Sequence, residues 1–121
     1  MNAVLWTGVL LIGGVGSVAR FVVDRAVARR VGGGFPLGTL TVNVSGSLLL
    51  GLISGLMLSQ PAALLAGTAF MGAFTTFSTW MFETQRLAEE RQIRTAVANL
   101  VISLVAGLAA AAMGHWIASL L

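Results

Sequence analysis

Residues 31–82 contain no Asp, Glu, Lys, Arg or His, and the only interruption with turn character in that run is Ser59-Gln60-Pro61. A helix crosses the hydrocarbon core with about 20 apolar residues. The run is therefore long enough for two crossings joined by one tight turn. Residues 1–19 are also uncharged, as are residues 95–121 apart from His115. The sequence predicts an all-α membrane protein with four spans, about 3–23, 37–58, 62–82 and 96–120, forming a single domain over 1–121. Charged residues make up 9% of the chain, against about 25% in soluble domains, which excludes an ordinary soluble core.

All seven arginines fall in two places: Arg20, Arg25, Arg29 and Arg30 after the first span, and Arg86, Arg91 and Arg94 between the third and fourth. With four spans these connections share one side of the membrane. The positive-inside rule makes that side cytoplasmic and places both termini outside. Setting aside Arg20, which sits at the membrane end of its span, leaves six to zero. The same arginines read as topology signals and lipid-headgroup contacts rather than a nucleic-acid surface. The first span lacks a basic n-region and a cleavage site, so it is read as a mature span. The chain has no cysteine, which excludes disulfides and thiolate metal sites. In "RLAEERQIRT" (86–95), Glu89 and Glu90 precede Arg94 by five and four residues, predicting a short helical extension leading into the fourth span.

Glycines at 13, 14 and 16, and at 46, 51 and 55, predict close helix approach, since small residues let backbones pack in lipid. Four spans of this size are too thin to enclose a pathway alone. An oligomer is expected, at minimum a dimer.

The spans contain no internal carboxylate, so a proton-coupled exporter lacks the group it would need. There is no nucleophile-base pair and no metal-ligand cluster, which leaves little for an enzyme; His115 reads as an interfacial residue. The second span, "FPLGTLTVNVSGSLLLGLISGL", places Thr39, Asn43 and Ser47 at i, i+4 and i+8, with Ser54 a heptad beyond. They form one polar stripe. Such a stripe either bonds a neighbouring helix or lines a path with amide and hydroxyl donors, and this span alone leaves both open.

The third span ends in "GAFTTFSTWMFE" (72–83), with Thr75, Thr76, Ser78 and Thr79 set among aromatics. Hydroxyls near the middle of a span can replace helical hydrogen bonds and permit a break. A broken membrane helix exposes carbonyls to a cation and amides to an anion. Phe74, Phe77 and Trp80 recur every three residues. Their ring edges are electropositive, so they can favour a small anion without trapping it. An aromatic packing stripe is the competing explanation.

"GGVGSVAR" (13–20), "GTLTVNVSGS" (38–47) and "GAFTTFSTWMFE" (72–83), in that order and spacing, resemble the three signature segments of the Fluc (CrcB) fluoride channels. The resemblance implies a dimer of four-helix subunits in opposite orientations, with a break in each third helix, two fluoride pores and a central sodium ion. It implies that Asn43 offers its amide to fluoride, flanked by Thr39 and Ser47. Phe77 and Trp80 take the aromatic-box positions, Trp80 replacing the more usual phenylalanine. Ser78 and Thr79 lie between them as hydroxyl donors. The carbonyls of Gly72 and Thr75 are the implied sodium ligands, and Arg20 the vestibule cation. The family's fourth helix often carries a polar track with tyrosine; here only Ser103 and Asn99 stand in its place.

The implied function is passive fluoride export across the bacterial inner membrane, conferring fluoride resistance. The one-sided arginines add a further expectation. A subunit inserting both ways should have little charge bias, so this chain is expected to keep one orientation and pair with an inverted homologue, with a dual-topology homodimer as the alternative. A non-conducting or partner-dependent subunit and a small-molecule exporter are the rival readings.

Overall fold

The computed structural model describes residues 2–121, all helices and connections. Helix α1 (Ala3–Arg30) starts at Asn2, whose side chain accepts the Leu5 N–H at 2.9 Å. It overruns the expected end at 23 because nothing after that point breaks a helix, and Arg29 and Arg30 in its last turn suit the negative end of the helix dipole. Asp24 is therefore helical. Helix α2 (Leu37–Gly55) ends three residues short of the expected 58, where Met57 takes the left-handed conformation (φ 54°).

The turn between the second and third spans accordingly lies at residues 56–59. Ser59-Gln60-Pro61 is the start of the next helix: Ser59 accepts the Ala62 N–H and Pro61 occupies the first turn, where its missing N–H costs nothing. The third span (Gln60–Glu89) is built in pieces. A short α3 (Gln60–Ala63) passes into a π-helical stretch (Leu64–Met71), then α4 (Gly72–Phe74). Residues 75–77 leave the helix, Thr75 being extended at φ −81°, ψ 159°. Helix α5 (Ser78–Glu89) resumes, so the break expected from the hydroxyl run is present. Wide π turns recur at functional sites because they displace side chains from the regular helical register.

The segment 86–95 differs from expectation in its attachment. Residues 86–89 continue α5, and the chain turns at Arg91 (φ 61°) before α6 (Ile93–Ser119). Arg86 pairs with Glu90 at 3.1 Å, an exposed i,i+4 pair at the end of α5. The four long helices are each apolar and long enough to cross a membrane, making this a multi-pass membrane protein. Its outer surface is apolar: Val4 is 80% exposed, Leu10 76% and Leu108 65%. That much uncovered hydrocarbon is stable in lipid and not in water.

The interior is small, with Val42, Met71 and Phe74 at its centre. Backbone proximity supplies the rest. A Cβ at Gly51 would overlap the Ala111 carbonyl, and one at Gly114 the Leu48 carbonyl, so α2 and α6 meet backbone to backbone. At Gly16 it would stand 2.6 Å from the Phe70 carbonyl, seating α1 on the π-helical stretch. Of the glycines singled out in the sequence, Gly14 has no such role, meeting nothing within 4 Å.

Candidate functional site

The break is held open by α2. The Thr76 N–H, which would close a helical turn on the Gly72 carbonyl, donates instead to Asn43 Oδ1 at 2.8 Å. Asn43 Nδ2 donates back to the Thr76 carbonyl at 2.8 Å. One primary amide thus substitutes for both partners that Thr76 lost when the helix parted, which is what a backbone group in lipid requires. Two hydroxyls complete the work: Thr75 Oγ1 donates to the Met71 carbonyl at 2.9 Å, and Thr76 Oγ1 accepts the Thr79 N–H at 3.2 Å, capping the resumed helix. The Ala73 carbonyl is met by Arg20 Nε at 3.3 Å.

Two carbonyls are released by these exchanges. Gly72 loses its i+4 amide to Asn43 and Thr75 loses its own to Thr76. Gly72 is exposed, with open space where a Cβ would be. A pair of freed carbonyl oxygens is hard-cation chemistry, which is compatible with the sodium ligands that the family resemblance implies.

Beside the break runs a groove of about 340 Å3 along α2, α5 and α6, lined by Asn43, Ser47, Phe77, Trp80 and Ser103 among apolar neighbours. Phe77 and Trp80 stand edge to face, 5.8 Å between centroids at 86°, so one ring presents an edge to the other's face. Phe77 is 69% exposed, half of a contact waiting for something on its open side. The Trp80 indole N–H is not free for an ion: it donates to the Asn99 carbonyl at 3.0 Å. Asn99 in turn donates to Thr84 Oγ1 at 2.8 Å, Thr84 donates to the Trp80 carbonyl at 2.8 Å, and Ser103 donates to Asn99 Oδ1 at 3.4 Å. The network fixes the ring that phenylalanine would leave to packing alone.

The stripe Thr39, Asn43, Ser47 is divided by the break. Asn43 and Ser47 line the groove, whereas Thr39 lies beyond the Asn43–Thr76 pair, toward the arginine-bearing end. There it borders, with Arg20, Asp24, Thr76 and Thr79, a void of about 10 Å3, room for about one water-sized species. Thr79 is thus brought to the inner void and not to the groove, and Ser78 is exposed and lines neither. The Thr39 hydroxyl and Glu83 Oε1 are both buried and lie toward each other, short of a full hydrogen bond, an uncommon state for buried polar atoms. Sequence reasoning passed over Glu83, Asp24 and Thr84. The available signal was spacing, since Glu83 follows Thr79 by one helical turn.

A four-span membrane protein whose third helix is broken around freed carbonyls and a bidentate amide has the architecture of ion channels and transporters. The comparisons make this specific. Residues 7–115 match the model of the family described as CrcB-like protein, Camphor Resistance (CrcB). A relative from Mycolicibacterium paratuberculosis described as fluoride-specific ion channel FluC 2 is 68% identical, covering 96% of this chain and 95% of its own. One from Mycobacterium tuberculosis with the same description is 62% identical over 99% of this chain and 95% of its own. One from Leifsonia xyli, fluoride-specific ion channel FluC 1, is 40% identical over 99% and 90%. The chain belongs to the CrcB family.

Proposed function

We propose that this chain is a subunit of a passive fluoride-selective channel of the bacterial inner membrane, exporting cytoplasmic fluoride. Fluoride enters cells as its membrane-permeant acid and dissociates inside; an open path for the anion, driven outward by the membrane potential, lowers its concentration without fuel or catalysis. The observation carrying the reading is the Asn43–Thr76 pair at the head of the groove. Asn43 uses one Nδ2 hydrogen on Thr76 and keeps a second. That spare donor stands where the inner void and the outer groove approach one another.

An ion leaving the void edged by Arg20, Thr39 and Thr79 would shed water against Asn43, pass the edges of Phe77 and Trp80, and continue along Ser47 and Ser103. Each contact is weak, and several weak donors in series suit conduction better than one deep site. Arg20, tethered to Ala73, raises the local anion concentration without entering the path.

The exposed face of the break fits a second subunit in inverted orientation. Gly72 and Thr75 would hold a sodium ion there with the equivalent carbonyls of that subunit. Such an ion supplies positive charge that balances the converging carbonyl dipoles. Arginines confined to one side favour an inverted homologue as the partner, with a homodimer inserted both ways as the other arrangement.

Phe77→Ala tests the path. Removing one electropositive ring edge, worth about 1 kcal/mol, should lower fluoride efflux roughly fivefold to tenfold, while Trp80→Phe, which keeps the ring, should conduct. Wild-type efflux from Phe77→Ala vesicles would remove Phe77 from the path.

A further inference from the structure

Of the two polar residues expected from α6 along the path, only Ser103 lines the groove. Asn99 is 1% exposed and turns its amide to α5 instead. A buried primary amide is costly unless its polar groups are used, and here each is. The Asn99 carbonyl accepts the Trp80 indole N–H at 3.0 Å, Nδ2 donates to Thr84 Oγ1 at 2.8 Å, and Oδ1 accepts from Ser103 at 3.4 Å.

These bonds close a circuit. Thr84 Oγ1 has one proton and donates it to the Trp80 carbonyl at 2.8 Å, one helical turn back, so a lone pair is left to receive the Asn99 amide. Trp80 is thereby held at both ends: Asn99 takes its ring directly and, through Thr84, its backbone. The indole can only donate and the main-chain carbonyls can only accept, so the circuit closes in one sense. A single bond from Asn99 to Thr84 would be enough to join α5 to α6. The added bond to the indole carries the restraint into the groove wall, where the Trp80 ring stands edge to face with Phe77.

We propose that Asn99 and Thr84 are positioning residues for the aromatic stage of the path, holding the Trp80 ring in place before a small anion reaches it. The proposal rests on the channel reading above. A ring left free would have to be ordered as the anion arrives, and that lost freedom weakens the contact roughly fivefold. The effect falls on the fluoride concentration that gives half-maximal efflux. Loss of α5–α6 packing alone lowers the number of conducting channels, and so the maximal rate, at an unchanged half-maximal concentration.

The test is initial fluoride efflux over a series of concentrations, from vesicles holding the full chain in the preparation that conducts. Thr84→Val keeps the shape of the side chain and removes the hydroxyl; Asn99→Leu keeps the bulk and removes the amide. Each should raise the half-maximal concentration roughly fivefold, and Thr84→Ser, which keeps the hydroxyl, should stay at the wild-type value. With Trp80→Phe as background no indole N–H remains to be held, so Thr84→Val should add less than about twofold. A lower maximal rate at the wild-type half-maximal concentration in Thr84→Val overturns the proposal, as does a shift that persists in full beside Trp80→Phe.

Deuterium exchange of the Trp80 indole N–H, followed by NMR on the full chain in detergent, reads the restraint without flux. It should be roughly fivefold faster in Thr84→Val than in wild type, with the indoles of Trp6 and Trp116, 51% and 62% exposed, unchanged. Equal exchange at Trp80 in the two proteins overturns the proposal and leaves the channel. Wild-type vesicles silent with and without an inverted homologous subunit overturn the channel reading and the role in its path together.

Discussion

Asn43→Ala should abolish fluoride efflux and loosen the break at the same time. The side chain makes two 2.8 Å bonds to one peptide unit, Thr76. Alanine would leave an N–H and a carbonyl without partners in a region where replacement donors are scarce. Each unsatisfied group costs about 1–3 kcal/mol, so the variant should lose about 2–4 kcal/mol of stability, less any relief from water entering the groove. A donor to the ion is lost as well; a hydrogen bond to a charged group is worth about 1.5–3 kcal/mol, or roughly 10- to 100-fold in rate. Asn43→Asp should be silent as well: it still accepts from the Thr76 N–H but turns a carboxylate oxygen toward the Thr76 carbonyl and places a negative charge on the anion's path, so it should also be less stable than wild type. Efflux from Asn43→Asp vesicles at the wild-type rate would show that the amide does not meet the ion.

Gly51→Val should prevent stable folding. A Cβ at this position falls on the carbonyl group of Ala111, and the obstacle is backbone on both sides, so no rotamer change relieves it. Overpacking typically costs about 1–3 kcal/mol, occasionally more, and here the α2–α6 seam that carries the whole groove would have to open. The expected result is loss of the monodisperse species in detergent, or a fall in thermal midpoint well beyond that of Gly14→Val. That comparison carries the same β-branched side chain to a glycine of α1 that meets nothing within 4 Å in this chain. Equal behaviour of the two variants would mean that the seam is looser than drawn.

The four spans were legible because they follow from one property, the length of runs without charge, which lipid enforces. The break was legible for a similar reason: hydroxyls in the middle of a span have a job only if the ladder is interrupted. What escaped the sequence depended on neighbours. Thr39, Asn43 and Ser47 share one face of α2, and periodicity cannot tell that the Thr76 peptide crosses that face and sends Thr39 to a different cavity from the other two. Trp80 reads as an aromatic with a spare N–H; only the approach of α6 shows the N–H spent on Asn99. The π-helical stretch 64–71 has no periodic signature in eight apolar and small residues. Helix ends were missed at Met57 and Arg91, where non-glycine residues take positive φ and no turn residue announces it. Glu83 escaped because, as the first charge after a long neutral run, it read as the end of the span and not as a buried group.

The central claim is that this chain forms a path selective for fluoride. Its most direct measurement is anion efflux from vesicles holding the purified chain, alone and with an inverted homologous subunit, under a potassium-valinomycin potential with chloride as control. The account predicts fast fluoride efflux without chloride efflux, lost in Asn43→Asp. Efflux from the chain alone would identify the homodimer, and efflux only with the second subunit the heterodimer. Silence for fluoride in both preparations, or equal passage of chloride, would contradict the account.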